Sequence, residues 1–580
     1  GLIGKSQSII DNEEISTNDI SEKLAEGGIL PMFGMPTTVR NLYHGIHKFS
    51  KEGLVIDRPQ SMAIYEFAPG AQKTKDKAIH QVIGFTSDFI KTYHKGDSVT
   101  NSRTRTSAPH SYPFYLNRWF VRCRGCGFFE TYSEETKSEL EAQGKFASCP
   151  NCGEQNEGKY QKPVRLKAPR AYRTNLSKGS DSKDDSEFLL SRPPIFAEKI
   201  NDPQNPDIER KVGNSGLIIS DKDVTWRVNT NSDRYFTGRL YNTINRFQFN
   251  QQGYWFNDQW IMSGLAENFN ENGYGMNVNL NMHYEEESIA LASNKKTEIF
   301  RIFPLSVPLA LNLNMFSSDS NEPYIKAQAN GVRSGYYSAA FLLQRILADR
   351  LDVDPTEIEI ADISMTNLDD GTNRKIAEII LTDELPNGSG FVRHLFDNFE
   401  KIIAEALNPS DAESYVGKIQ SDSHIGQCKD ACYDCLKVYR NMNYHSLLDW
   451  RLGLAMLRVM NNHEYQCGSD GNFKDFDELR GWLHFAKELR DSFAHCFGFD
   501  HLEEINGLPV IKFDRGLKNI IVIVHPFWDL QNIRDENWLA ETMVEIEEYR
   551  QSTNGKISII DTFNLHRRPG WCYEKLVIRR

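Results

Sequence analysis

The chain has 580 residues, of which 39% are hydrophobic and 25% charged, a composition that excludes disordered, collagen-like and membrane-spanning classes. Its length allows about three or four domains. The formal net charge of -12 excludes a surface that is basic throughout, although a local basic patch remains possible.

Residues 1–50 read as mostly helical. Ser16-Thr17-Asn18-Asp19 can cap a helix carrying Ile20, Leu24 and Ala25, ended by Gly27-Gly28. Ile29 to Pro36 reads as a rigid apolar turn. Short strands are expected over 61–67 and 78–84, around a turn at Pro69-Gly70. A zinc ribbon fills 116–155. A basic segment follows with Lys159, Lys162, Arg165, Lys167, Arg170, Arg173 and Lys178, and then a polar loop over 177–187. Residues 215–315 are rich in aromatic strand patterns. A helix is expected over 333–350, strands at 358–360 and 379–381, one helix from Phe391 to Leu407, and another over 446–460. Strands at 519–524 and 556–560 belong to a final α/β segment. The fold class is therefore α/β (α+β mixed) and multidomain, with a zinc-ribbon insertion and a zinc-stapled C-terminal α/β domain. The segments are 1–115, 116–178, 179–300, 301–465 and 466–580.

Seven of the ten cysteines fall in two clusters. Cys123, Cys126, Cys149 and Cys152 have C-x2-C-x22-C-x2-C spacing. Each short loop turns two thiolates toward one point, and two such pairs close a tetrahedral zinc site with no open position. That makes the metal structural, because so small a ribbon cannot bury enough core without it. Cys428, Cys432 and Cys435 supply three further ligands. His445 is the expected fourth, with His424 and Cys467 as rivals. One Zn2+ is expected at the first cluster and a second at the other.

Arg118, Arg122, Arg124, Arg165, Lys167, Arg170 and Arg173 are the candidate DNA contacts, since each cation placed on a phosphate releases counterion. The alternative is a solvated strand pair or a face for an acidic partner. The aromatics from Phe247 to Trp260 could stack bases but fit a strand core better. Gly4-Lys5-Ser6 has only the tail of a phosphate-binding loop, without the earlier glycine or a magnesium-holding acidic box, so no ATPase is expected. Glu209-Arg210-Lys211 offers half a nuclease motif, with Pro206-Asp207 too close to serve a separate strand. His525 to Asp529 follows a strand end, where α/β folds place sites, but reads as a loop anchor. The loop 383–391 could present amides to an anion or be a closed turn, and the turn is preferred.

Several blocks resemble a known family. Gly28 to Pro36 looks like the segment after the second motor domain in MrfA-type helicases, and Arg58 to Gly70 like their next block. The loop 383–391, Cys428 to Cys435, Tyr439-Arg440-Asn441 and His445 to Asp449 look like their C-terminal domain. Trp450 stands where that family usually has a basic residue, and Arg451 comes one later. Without a motor domain in front, the arrangement is similar to the DrmB family of the DISARM anti-phage system. The resemblance implies a non-motor subunit that pairs with a DrmA-like superfamily 2 helicase and helps bind or load DNA, including a single-stranded part. Catalysis would lie in the partner. A metal-dependent nuclease and a scaffold that never touches DNA are the rival functions. The absence of a long apolar run or signal peptide makes a cytoplasmic, non-membrane protein the expectation.

Overall fold

The computed structural model describes residues 6–7, 24, 39–44, 54–75, 78–86, 91–93, 104–106, 112–174, 180–181, 194–245, 248–257, 277–316, 322–372, 374–514, 516, 518–532 and 537–578. The expected first helix and the apolar turn at 29–36 lie outside these residues, apart from Leu24. Two units emerge. One comprises Gly1–Arg124, Phe129–Ile200 and Asp223–Lys296; the other comprises Gly125–Phe128, Asn201–Lys222 and Thr297–Arg580.

Alternating aromatic and β-branched residues build the first unit as a fifteen-stranded sheet. Its main path runs Leu54–Pro59, Val39–His44, Ala171–Thr174, Ala78–Thr86, Gln248–Phe256, Phe236–Asn245, Glu287–Lys296, Tyr160–Pro169, Phe114–Cys123 and Phe129–Tyr132. Two of these pairings are parallel: Val39–His44 with Ala171–Thr174, and Glu287–Lys296 with Tyr160–Pro169. Phe85, Phe114, Tyr172 and Trp255 fill the core, with Phe85 centred 5.1 Å from Trp255 and 5.5 Å from Tyr172. Gly84 permits this packing, since a Cβ there would sit 2.2 Å from the Trp255 carbonyl oxygen. Tyr254, Trp255 and Phe256 are fully buried, so this aromatic run is core.

The expected strand at 61–67 is instead the helix Gln60–Glu66. Pro59 precedes it, where a missing N–H costs nothing. Ala63, Ile64 and Phe67 are the buried positions, which is helical spacing and not alternation.

In the second unit, Pro323–Leu351 is a 29-residue helix that opens ten residues before its sequence expectation, with proline at its first turn. It packs on the helix Trp450–Asn461, which Asp449 caps. Gly453 lets the two approach, because a Cβ there would meet Leu342 and Ser338 at 2.9 Å. A six-stranded antiparallel sheet runs Ile208–Val212, Ser215–Ser220, Ile299–Pro304, Lys375–Asp383, Ile358–Ile360, with Ser364–Asn367 also on Lys375–Asp383. The single helix expected from Phe391 to Leu407 is two, Phe391–Asp397 and Phe399–Leu407. Asn398 leaves the helical backbone between them, and its side-chain amide donates to the His394 carbonyl at 3.0 Å.

The C-terminal sheet follows His501–Ile505, Leu508–Asp514, Lys518–Val524 as an antiparallel meander. Ile557–Asp561 then joins Lys518–Val524 in parallel, after the crossover helix Trp538–Thr553. Among the described residues no helix is long and apolar enough to cross a membrane.

A buried ion pair ties the helix Trp450–Asn461 to the following loops. Arg458 Nε and Nη2 donate to Glu478 at 2.6 and 3.1 Å, and the Tyr465 hydroxyl donates to the same carboxylate at 2.8 Å. Removing one partner strands a buried charge, so Arg458→Ala is expected to cost about 3–5 kcal/mol in urea unfolding. Arg458→Met together with Glu478→Leu should recover most of that loss.

Candidate metal centres

Among the described residues, two groups of three or more Cys, His, Asp or Glu side chains bring their donor atoms within 4.8 Å of one another. They are Cys123, Cys126, Cys149 and Cys152, and His424, Cys428, Cys432 and Cys435. Cys123 ends the strand Phe114–Cys123. The second cysteine of each pair is followed by a glycine with positive φ, Gly127 at 73° and Gly153 at 75°, which closes the knuckle. The Gly153 N–H donates to the Cys149 carbonyl at 2.9 Å, turning this loop back on itself. Cys123 and Cys152 sulfurs lie 3.6 Å apart.

In the second group, Cys432 Sγ lies 3.6 Å from Cys435 Sγ, and Cys428 Sγ lies 4.0 Å from Cys435 Sγ. A tetrahedron with zinc–sulfur bonds of about 2.3 Å has edges of about 3.8 Å, so both groups fit that ion. The donor chemistry agrees, since thiolate and imidazole in a tetrahedral set select zinc. The thiols also need a cation. Hydrogen bonding and repulsion from Cys435 raise the Cys428 thiol, while hydrogen bonding from Cys428 lowers Cys435. A dication at the centre lets all three ionise together.

The fourth donor brought into this group is His424, and His445 lies outside it. His424 sits on the short helix Asp422–Gln427, one turn before Cys428. Its Nδ1 lies 2.8 Å from the Ile419 carbonyl, which fixes that nitrogen as the donor and leaves Nε2 as a lone pair. Nε2 stands 3.5 Å from Cys432 Sγ. The ring of His445 is held elsewhere, with Nε2 2.9 Å from both the Val438 carbonyl and Asn441 Oδ1. Cys467, the other rival, lies 3.6 Å from His525 Nδ1. The usable signal was the four-residue step from His424 to Cys428, which places both on one helical face. Trp450 braces the site: its indole N–H donates to the Cys428 carbonyl at 3.1 Å, and its backbone N–H to the Asp430 carbonyl at 2.9 Å. Arg451 points back to the Ile425 carbonyl at 3.2 Å.

The candidate DNA-contact residues are largely engaged within the fold. Lys167 and Arg173, expected on DNA, are each only 1% exposed. Lys167 Nζ bonds Glu287 at 2.5 Å and lies over Phe114, and Arg173 lies 4.6 Å over Tyr254. Strand alternation turned both into the sheet, where a carboxylate and aromatic faces receive them. Arg165 stacks 4.7 Å over Trp119 and lies 3.8 Å from Glu134 and Glu287. Arg118 donates to Thr131 Oγ1 at 3.0 Å, Arg122 lies 5.0 Å over Phe196, and Arg124 pairs with Asp233. Arg170 is half-buried, with its backbone N–H on the Pro113 carbonyl.

The other sequence candidates resolve as structural parts. Asp383 accepts from the Ser389, Gly390 and Val392 N–H groups at 2.6, 2.7 and 3.1 Å, so its own carboxylate fills the nest that an anion would need. Glu209 and Lys211 are exposed on the edge strand Ile208–Val212, and no carboxylate cluster joins them among the described residues. His525 and Trp528 are buried, as a loop anchor requires. A small cleft opens where the parallel strands Lys518–Val524 and Ile557–Asp561 end, lined by Asp449, Arg451, His525, His566 and Arg567. Its charges match internally, with Arg567 3.5 Å from Asp430 and 3.7 Å from Asp449.

Residues 339–436 match the MrfA Zn-binding domain. The match ends just after Cys435 and contains all four ligands of the second group. No curated protein matches the chain. Among solved structures, "Crystal Structure of DUF1998 helicase MrfA bound to DNA" aligns with a TM-score of 0.31 and 8% identity, over 77% of this chain. The chain spans 39% of that protein's length. A likeness at that score establishes no common fold for the whole chain.

Metal analysis of the purified protein should return two zinc equivalents. His424→Ala and Cys428→Ser should each remove one, whereas His445→Ala should remove none; the reverse outcome for the two histidines would return the ligand to His445. Burial pushes the His525 imidazole down to about 3. Its folded form refuses a proton that the unfolded chain accepts, so its contribution is intact above pH 6.5 and lost as pH falls. The loss is about 2 kcal/mol at pH 5. In urea titrations His525→Gln should lose less stability than wild type between pH 7 and pH 5.

Proposed function

We propose that the chain is a zinc-stapled, non-motor subunit of a helicase complex, helping to bind or load DNA in bacterial anti-phage defence. The observation that carries this reading is the match of residues 339–436 to the MrfA Zn-binding domain, with the whole His424–Cys435 ligand set inside it. The motif blocks shared with the DrmB family supply the finer reading, in which a DrmA-like superfamily 2 helicase is the partner. The MrfA of the aligned structure is itself a helicase bound to DNA. Both tetrads are closed by protein donors, so their task is to hold surfaces in place. Nucleotide hydrolysis belongs to the partner.

Expression of the tagged chain in its native host, followed by mass spectrometry, should return one superfamily 2 helicase in near-equal amount. DNA-stimulated ATP hydrolysis should appear only when that helicase is present. ATP turnover by this chain alone, or capture of no helicase, would overturn the proposal. Cleavage of DNA by the chain with magnesium or manganese would favour the nuclease reading instead.

A further inference from the structure

Thirteen large hydrophobic side chains are strongly exposed among the described residues. Three of them, Tyr433 at 70%, Tyr439 at 61% and Met442 at 51%, fall within ten residues beside the second tetrad. Clustered apolar exposure marks a contact surface more often than scattered exposure does.

These side chains are exposed but firmly seated. Tyr433 lies between the ligands Cys432 and Cys435, so the metal site pins its backbone on both sides. Its ring meets His445 edge-on at 5.8 Å. Tyr439 and Met442 both lie on the 3₁₀ segment Tyr439–Tyr444, on either side of a backbone kink at Asn441. Asn441 clamps that segment: its Oδ1 accepts from the Val438 N–H and its Nδ2 donates to the Leu436 carbonyl, both at 2.9 Å. Tyr444 anchors it inward, 5.0 Å from Tyr337 and 5.3 Å from Phe341 on the helix Pro323–Leu351.

The side chain left unpaired beside the aromatics points to the partner. Lys437 is taken up by Asp430 at 3.9 Å, and Asp434 is exposed beside Tyr433. Arg440 is exposed between Tyr439 and Met442, and no described residue pairs with it. Aromatic faces beside an unpaired guanidinium suit a polyanion that offers flat, unpaired rings. In duplex DNA those ring faces are already stacked on one another.

We propose that Tyr433, Tyr439, Met442 and Arg440 form a stacking platform for single-stranded DNA, with the tyrosines on bases and Arg440 on the phosphate chain. This rests on the DNA-handling role proposed above and moves the contact from the basic segment 118–173 to the zinc-braced loop.

The test is fluorescence anisotropy of the full chain with a labelled oligothymidylate and with an abasic strand of equal length, which keeps the phosphates and lacks the bases. Wild type should prefer the thymidylate. Tyr433→Ala and Tyr439→Ala should each weaken thymidylate binding about fivefold or more, the span expected for one stacked base. Both should leave abasic binding unchanged and zinc at two equivalents. Tyr439→Phe should bind like wild type. If wild type binds DNA and the alanine variants match it, the platform is wrong while the DNA role survives. Equal losses on both strands mean a structural defect and also overturn it. Variants that keep DNA binding but lose helicase capture identify a protein interface instead. A wild-type chain that binds neither strand removes the DNA role itself.

Discussion

The closing of four soft donors around one point is the constraint on which the zinc-binding region depends. Three thiols and an imidazole within 4.8 Å cannot all ionise there unaided, because like charges suppress one another's ionisation. A dication resolves that conflict and fixes the loop. The loop then receives Trp450, whose indole and backbone N–H groups satisfy the carbonyls of Cys428 and Asp430. Trp450 opens the helix that packs along Pro323–Leu351. The metal-site loop is thus tied to the start of that helix. The tryptophan that replaces the expected basic residue acts as a buried wedge.

How a charge behaves on a strand explains the basic segment. Lys and Arg at alternate positions share one face, and that face can be interior if the neighbouring strand supplies acids and rings. Glu287 does so for Lys167 from 120 residues away. Long side chains then bury their stems, and the charge ends on a partner within the fold. Arg440, by contrast, is exposed and has no acid paired with it among the described residues.

Local patterns were legible in the chain, and distant ones were not. Paired cysteines announced both metal groups, because the ligand geometry is written in short loops. The apolar run at 519–524 announced a strand, found as Lys518–Val524. His424 ranks only as a rival to His445 in the sequence, although its four-residue step to Cys428 is visible there; the carbonyl of Val438 shows where the ring of His445 goes. Ser61 to Phe67 mixes apolar and polar residues without a clear period, which hides the helix Gln60–Glu66 from a local pattern. Pro59 was the neglected signal. The buried fates of Lys167 and Arg173 depend on strand neighbours that no local window contains.

The two metal groups differ in how much chain they must gather. The second draws its ligands from a span of residues 424–435, and the first from 123–152. Closing the shorter span costs less entropy. During synthesis the ligands of the later group also emerge almost together, before the strand Lys518–Val524 exists. The whole ligand set of this site is therefore available on the nascent chain before the C-terminal strands exist.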